Sequence, residues 1–233
     1  MSETDSFIDE VTEEVRRDRL FALMRRYGWI GGLAIVLLVG GAAWNEWRKA
    51  QARAESQAFG DAVIAALAQP EGAERATALE TVAAPTAGGE AVADLLAAAE
   101  RARQDAPGAS TRLLALADRS DVPAIYRDIA MLKAAMLPGS GLTADARRAR
   151  LAPLAAQPGL IRLLAEEQLA MIEIETGARV AALDRLTSLA VDAEATEPLR
   201  RRVAQVIVAL GEDVPEVPGE TRTDGTLDAG SDQ

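Results

Sequence analysis

The chain contains no cysteine and no histidine. Disulfides, thiolate nucleophiles, Cys/His zinc sites, Ser-His-Asp triads and imidazole acid–base chemistry are therefore excluded. Aromatic residues make up only 3% of the sequence, against 49% hydrophobic residues. The apolar content is mostly Ala, Leu and Val. Small residues and helix formers of this kind favour close-packed helices over sheets, which draw on β-branched and aromatic residues. Lysine is nearly absent as well, with only Lys49 and Lys133.

What charge there is lies unevenly. The net charge is -11, and the 233 residues suit one or two small domains. Residues 211–233 hold seven acids and a single base, Arg222, whereas residues 27–210 hold 22 acids and 19 bases. More than half of the imbalance sits in the last tenth of the chain. No basic stripe is present, so the sequence is read as one that does not bind nucleic acid, where phosphate neutralisation needs clustered cations.

One long apolar run stands out. From Tyr27 to Asn45 there is no formal charge over 19 residues, YGWIGGLAIVLLVGGAAWN. A helix of roughly 20 residues crosses the hydrocarbon core of a bilayer. Tyr27 and Trp29 mark one interface and Trp44 and Trp47 the other, with Arg25 and Arg26 before the run and Glu46, Arg48 and Lys49 after it. Aromatic and charged collars at both ends favour a membrane span over a soluble core helix. Before the span lie Arg16, Arg17, Arg19, Arg25 and Arg26; after it lie Arg48, Lys49 and Arg53. Five positive charges against three predict an N-terminus in the cytoplasm. The long, acid-containing leader favours an uncleaved anchor over a signal peptide. The Gly31–Gly32 and Gly40–Gly41 pairs have no GxxxG spacing between them.

Upstream, Phe7, Val11 and Val15 fall on one helical face, and Glu13 and Arg17 form a favourable i,i+4 pair. The stretch predicts a short amphipathic helix. It suits docking on a partner's cytoplasmic face as well as it suits a helix lying along the membrane surface or a solvated extension.

Beyond the span, four segments share the pattern Leu-x-x-[Leu/Val]-Ala: LETVA from Leu79, LLALA from Leu113, LAPLA from Leu151 and LTSLA from Leu186. They are spaced by 34, 38 and 35 residues, and Arg112, Arg150 and Arg185 precede the last three. Apolar-periodic stretches at residues 56–68, 91–103, 122–137 and 160–176 come before the four markers. Pro70 with Gly72, Pro107 with Gly108, Pro138 with Gly139 and Gly141, and Gly177 mark the joints inside the hairpins. Pro85 with Gly88 and Gly89, Pro123, and Pro158 with Gly159 separate one hairpin from the next. Pro153 lies inside the third marker and should kink or shorten that helix unless the helix starts just before it. A last helix, residues 197–210, with Pro198 in its first turn, would cover the final repeat. Its Arg200, Arg201 and Arg202 read as a solvated or acid-paired surface. A two-helix unit recurring near 34 residues resembles the tetratricopeptide repeat, in a degenerate form without its Trp, Gly and Tyr positions.

The arrangement as a whole resembles a narrower group. A short acidic–basic helix, one anchor and an Ala/Leu-rich repeat domain are similar to the YfgM-type family of bacterial inner-membrane proteins. The stretch FIDEVTEEVRRDRLFALMRRYGW is the most family-like, and the likeness covers about residues 5–210. That resemblance implies an ancillary subunit of the Sec translocon, with its repeat domain in the periplasm near secretory polypeptides and periplasmic chaperones.

The expected fold class is all-α. Its parts are a cytoplasmic amphipathic segment (1–26), a transmembrane anchor (27–47), a tetratricopeptide-like helical-hairpin solenoid (48–210) and a disordered acidic tail (211–233). The expected setting is the bacterial inner membrane, crossed once. The alternatives are a self-associating cell-envelope or division factor, which would be a homo-oligomer, and a membrane-bound regulator that signals through its cytoplasmic helix.

Candidates for chemistry are few. Glu166, Glu167, Glu173 and Glu175 cluster in one predicted helix, with Glu166 and Glu173 on the same face. Two carboxylates on a face suit a cation or acid–base work, but a solvated helix face is the stronger reading. Lys133 lies in the apolar stretch IAMLKAAML, where its stem is expected to pack while its amine reaches water. No phosphate-binding glycine loop, nucleophile elbow or calcium loop is present. The sequence is read as a non-enzyme without catalytic residues, cofactor or metal.

Overall fold

The computed structural model describes the backbone from Glu3 to Pro215 and the side chains from Met24 to Pro215. Nine α-helices and no strand occur among the described residues. They are α1 (Glu3–Leu67), α2 (Ala73–Glu80), α3 (Ala87–Arg101), α4 (Ala106–Ala117), α5 (Ala124–Met136), α6 (Ala144–Ala155), α7 (Leu160–Glu175), α8 (Arg179–Ala190) and α9 (Glu197–Ala209). The chain divides into two compact units, one ending at Ala58 and the other beginning at Phe59.

The first unit is helix alone. The short leading helix and the apolar span expected from the sequence are one continuous element, because no Pro interrupts residues 3–67 and the glycines lie in an otherwise strongly helical context. The Phe7, Val11 and Val15 stripe lies outside the residues whose side chains are described. From Met24 onward every residue of this unit is exposed. The helix is long and apolar enough to cross a membrane, and none of its apolar window is buried. Trp44 and Trp47 stand 5.1 Å apart at a tilt of 40°, and the Arg26 guanidinium lies 5.9 Å from the centre of the Tyr27 ring. Gly28 and Gly32 do stand four apart, a spacing that the two Gly-Gly pairs alone do not contain, and a Cβ at either would meet nothing within 4 Å.

The second unit is built from local signals. Thr86, Asp105 and Thr143 cap α3, α4 and α6 by accepting hydrogen bonds from the amides of Gly89 (3.1 Å), Gly108 (2.8 Å) and Ala146 (3.1 Å). Pro107 and Pro198 sit in the first turns of α4 and α9, where the missing N–H is not needed. At the other end of α7, Gly177 adopts φ 78°, and the Ala178 amide donates to the Glu173 carbonyl at 2.8 Å. Gly211 closes α9 in the same manner, with the Glu212 amide donating to the Ile207 carbonyl. A left-handed residue there satisfies helix carbonyls that would otherwise be orphaned, and glycine takes it without a Cβ penalty.

Two features differ from the expected punctuation. Gly88, Gly89, Pro107 and Gly108 lie inside the first turns of α3 and α4 instead of the connections. Pro153 falls not at the start of α6, which begins at Ala144, but in its last turn, and the helix ends two residues later.

The four marker leucines occupy α2, α4, α6 and α8. In α4, α6 and α8, each 12 residues long, the leucine stands at the same place, the eighth residue. Leu79, Leu151 and Leu186 are completely buried and Leu113 nearly so. Burial of such a side chain stabilises by about 1.5–3 kcal/mol. The core forms four successive clusters, each drawn from neighbouring elements. The first joins Ala66, Leu79 and Ala97 of α1, α2 and α3. The second joins Ala91, Leu113 and Ala130 of α3, α4 and α5. The third joins Leu132, Leu151 and Leu169 of α5, α6 and α7, and the fourth Leu163, Leu186 and Val203 of α7, α8 and α9. Alanine dominates the facing positions, which lets neighbouring helices approach closely.

Candidate functional site

The four glutamates of α7 are held by arginines from three other helices. Glu173, only 9% exposed, accepts from Arg185 of α8 at 2.8 Å. Glu166 pairs with the same guanidinium. Hydrogen bonding to Glu173 raises the Arg185 guanidinium above its usual range; burial opposes the rise and Glu166 adds to it. Glu167 takes Arg202 of α9 through two bonds, at 2.9 and 2.7 Å. Glu175 pairs with Arg147 of α6. The carboxylates thus clamp α7 to its neighbours, each facing a cation. A free pair that could share a proton or hold a cation is not what these four form. Among the described residues no group of three or more acids is placed to hold a metal ion.

The same device recurs at the arginines that precede the markers. Arg112 reaches Asp94 of α3 at 2.9 Å and Glu80 of α2 at 3.0 Å, and Glu80 also binds Arg101. Arg150 meets Asp118, just past α4, at 3.0 Å. Arg162, in the first turn of α7, meets Asp192 just past α8 at 2.9 Å, so α7 and α8 run antiparallel. Glu90 of α3 and Arg119 beyond α4 make the same contact with the charges exchanged, at 2.7 Å. In the α9 triplet, Arg200 donates to the Asp192 carbonyl at 2.9 Å, Arg201 lies 3.9 Å from Glu197, and Arg202 holds Glu167. The triplet is an acid-paired and solvated surface.

Asp192 shows the electrostatic consequence. Its partial burial works to raise the carboxyl, but the Glu194 amide and the Arg162 guanidinium outweigh this and hold it below the ordinary aspartate value.

Clefts open on the unit. One of ≈ 440 Å³ between α7 and α8 is lined by Arg162, Glu166, Arg185 and Asp192, which pair as Arg162 with Asp192 and Arg185 with Glu166. A second, ≈ 230 Å³, is mostly apolar, with Leu95, Leu113 and Leu137 on its walls and Lys133 beside them. Lys133 is exposed, as expected for a packed stem with a solvated amine. A third, ≈ 270 Å³, lies between α4, α5 and α6, with Arg127, Arg150, Met131 and Leu154 among its lining. Nothing in the sequence singles out Arg127. Its distinction, a guanidinium without a partner among the described residues, depends on which helices surround it and has no local signal.

No protein-family model, no curated protein and no solved structure matches this chain.

Proposed function

We propose that this protein is a membrane-tethered interaction scaffold: one span, an N-terminus in the cytoplasm, and a tetratricopeptide-like solenoid in the periplasm that presents its surface to other polypeptides. The observation that carries the reading is the contrast between one exposed apolar helix and a unit whose core forms four clusters, each drawn from neighbouring helices. Stacked helical hairpins bury their faces against nearest neighbours only, as in solenoid repeats, and such proteins bind other proteins along extended surfaces. The aromatic collars and the five-to-three excess of positive charge before the span support the orientation. The α7 carboxylates support binding over catalysis, since arginines occupy them all.

The resemblance to YfgM-type proteins gives the scaffold a role in protein translocation, or in handover to chaperones, at the Sec translocon. Photo-crosslinkers placed at exposed positions within residues 90–176 of the full chain in native membranes test this. Capture of translocon subunits, periplasmic chaperones or secretory proteins is the expected outcome. Failure to capture any of them from membranes rich in the protein would sink the reading. Protease added to intact spheroplasts should digest the second unit and spare the N-terminal segment; the reverse pattern would overturn the orientation.

A further inference from the structure

Nearly every guanidinium of the second unit is engaged. From Arg75 to Arg202, each arginine has a carboxylate within 4.0 Å or, for Arg200, donates to a backbone carbonyl. Arg127 is the exception: among the described residues its side chain makes no ion pair and no hydrogen bond, and its Nε is buried without an acceptor. It lines the ≈ 270 Å³ cleft between α4, α5 and α6. Arg150 stands in the same cleft, held on one side by Asp118 yet 41% exposed, and Met131 and Leu154 supply apolar wall. Gln157 adds an amide. Asp128 also lines it but forms no ion pair with Arg127 or Arg150.

We infer that this cleft receives a carboxylate side chain from an acidic, leucine-rich polypeptide segment, with Arg127 as its ion-pair partner. The Arg127 guanidinium meets no counter-charge among the described residues, and an incoming carboxylate would supply one. A guanidinium offers a planar fork that matches a carboxylate, and the aliphatic wall suits the residues that flank an acid in a peptide. The proposal rests on the reading of the unit as a polypeptide-binding scaffold and names the chemistry of what it takes.

The test uses the full chain in detergent micelles and a fluorescein-labelled decapeptide of alternating leucine and glutamate. A second decapeptide carries glutamine in place of glutamate. Fluorescence polarisation should show the glutamate probe binding about tenfold or more tightly, the scale of one charge-assisted hydrogen-bonded contact. Arg127→Gln should abolish that preference, and Arg127→Lys should retain part of it. Arg201→Gln, which removes the same charge from α9, should leave it unchanged. Equal binding of the two probes, absence of binding, equal weakening by Arg127→Gln and Arg201→Gln, or displacement by inorganic phosphate at matched ionic strength would each overturn the proposal. Thermal melts accompany each variant, and if Arg127→Gln melts early, Arg127→Lys and Arg150→Gln give the answer. Undiminished crosslinking of polypeptides by the Arg127→Gln chain would end this proposal while leaving the scaffold reading intact.

Discussion

Leu38 and Leu186 are the same side chain in opposite settings. Leu38 is 74% exposed on α1, and Leu186 is fully buried between α7, α8 and α9. From Met24 onward the first unit carries its apolar surface exposed; the second folds Ala and Leu inward and covers itself with ion pairs. A helix that is apolar all round needs an apolar solvent, whereas an amphipathic helix needs only a neighbour. One composition thus serves two physical purposes, and the difference between the units is where the apolar face finds its contacts.

The sharpest way to break this comparison is to truncate each leucine. Leu186→Ala should destabilise the second unit by about 2–5 kcal/mol, the cost of lost burial plus a cavity. Thermal unfolding of the full chain in micelles reads it. Leu38→Ala should leave that transition where it is, and a comparable shift from both would erase the distinction. Next in size, Leu37→Lys at the middle of the apolar run should raise the cost of membrane insertion by about 3 kcal/mol. Carbonate extraction of membranes checks this, and undiminished retention of the variant would argue against a span.

Within the second unit, Glu173→Gln removes the carboxylate that faces Arg185 and should cost about 1–3 kcal/mol, since a charged group is left short of its partner. Glu175→Gln, whose carboxylate is 56% exposed against 12% for Glu173, should cost about 1 kcal/mol or less. Equal effects would mean that burial does not set the strength of these clamps. The smallest effect concerns pH. The carboxyl of Asp192 is held below its ordinary value of 3.8, so its charged form favours the folded state. That contribution is complete above the ordinary value and disappears as pH falls through the lower, folded one. Acid unfolding curves of the wild type should therefore steepen below about pH 4, and Asp192→Asn should flatten that stretch. Identical curves would remove Asp192 from the account.

How much of the fold and the site is legible in the sequence follows the range of each interaction. The marker leucines were legible because a helix repeats its faces every few residues and because caps and breakers act within a turn. Gly177 announced the end of α7 by composition alone. The continuity of α1 across the leading segment and the apolar run was not legible, since no residue there commands a break or forbids one. The arginine partners were less legible still. Arg202 and Glu167 stand 35 positions apart, and Arg112 and Asp94 stand 18 apart. No periodicity in the chain pairs them; the approach of particular helices does.

The sequence by itself therefore determined the helices, their order, the run able to cross a membrane and the leucines that would be buried. Those properties depend on neighbours within a turn or two and on the aversion of apolar side chains to water. Only the tertiary structure decided that the four glutamates of α7 would be occupied by arginines, and that Arg127 would line a cleft without a partner among the described residues. Ion pairing is decided over a few ångströms between helices distant in sequence, and only the packing of the core brings those helices together.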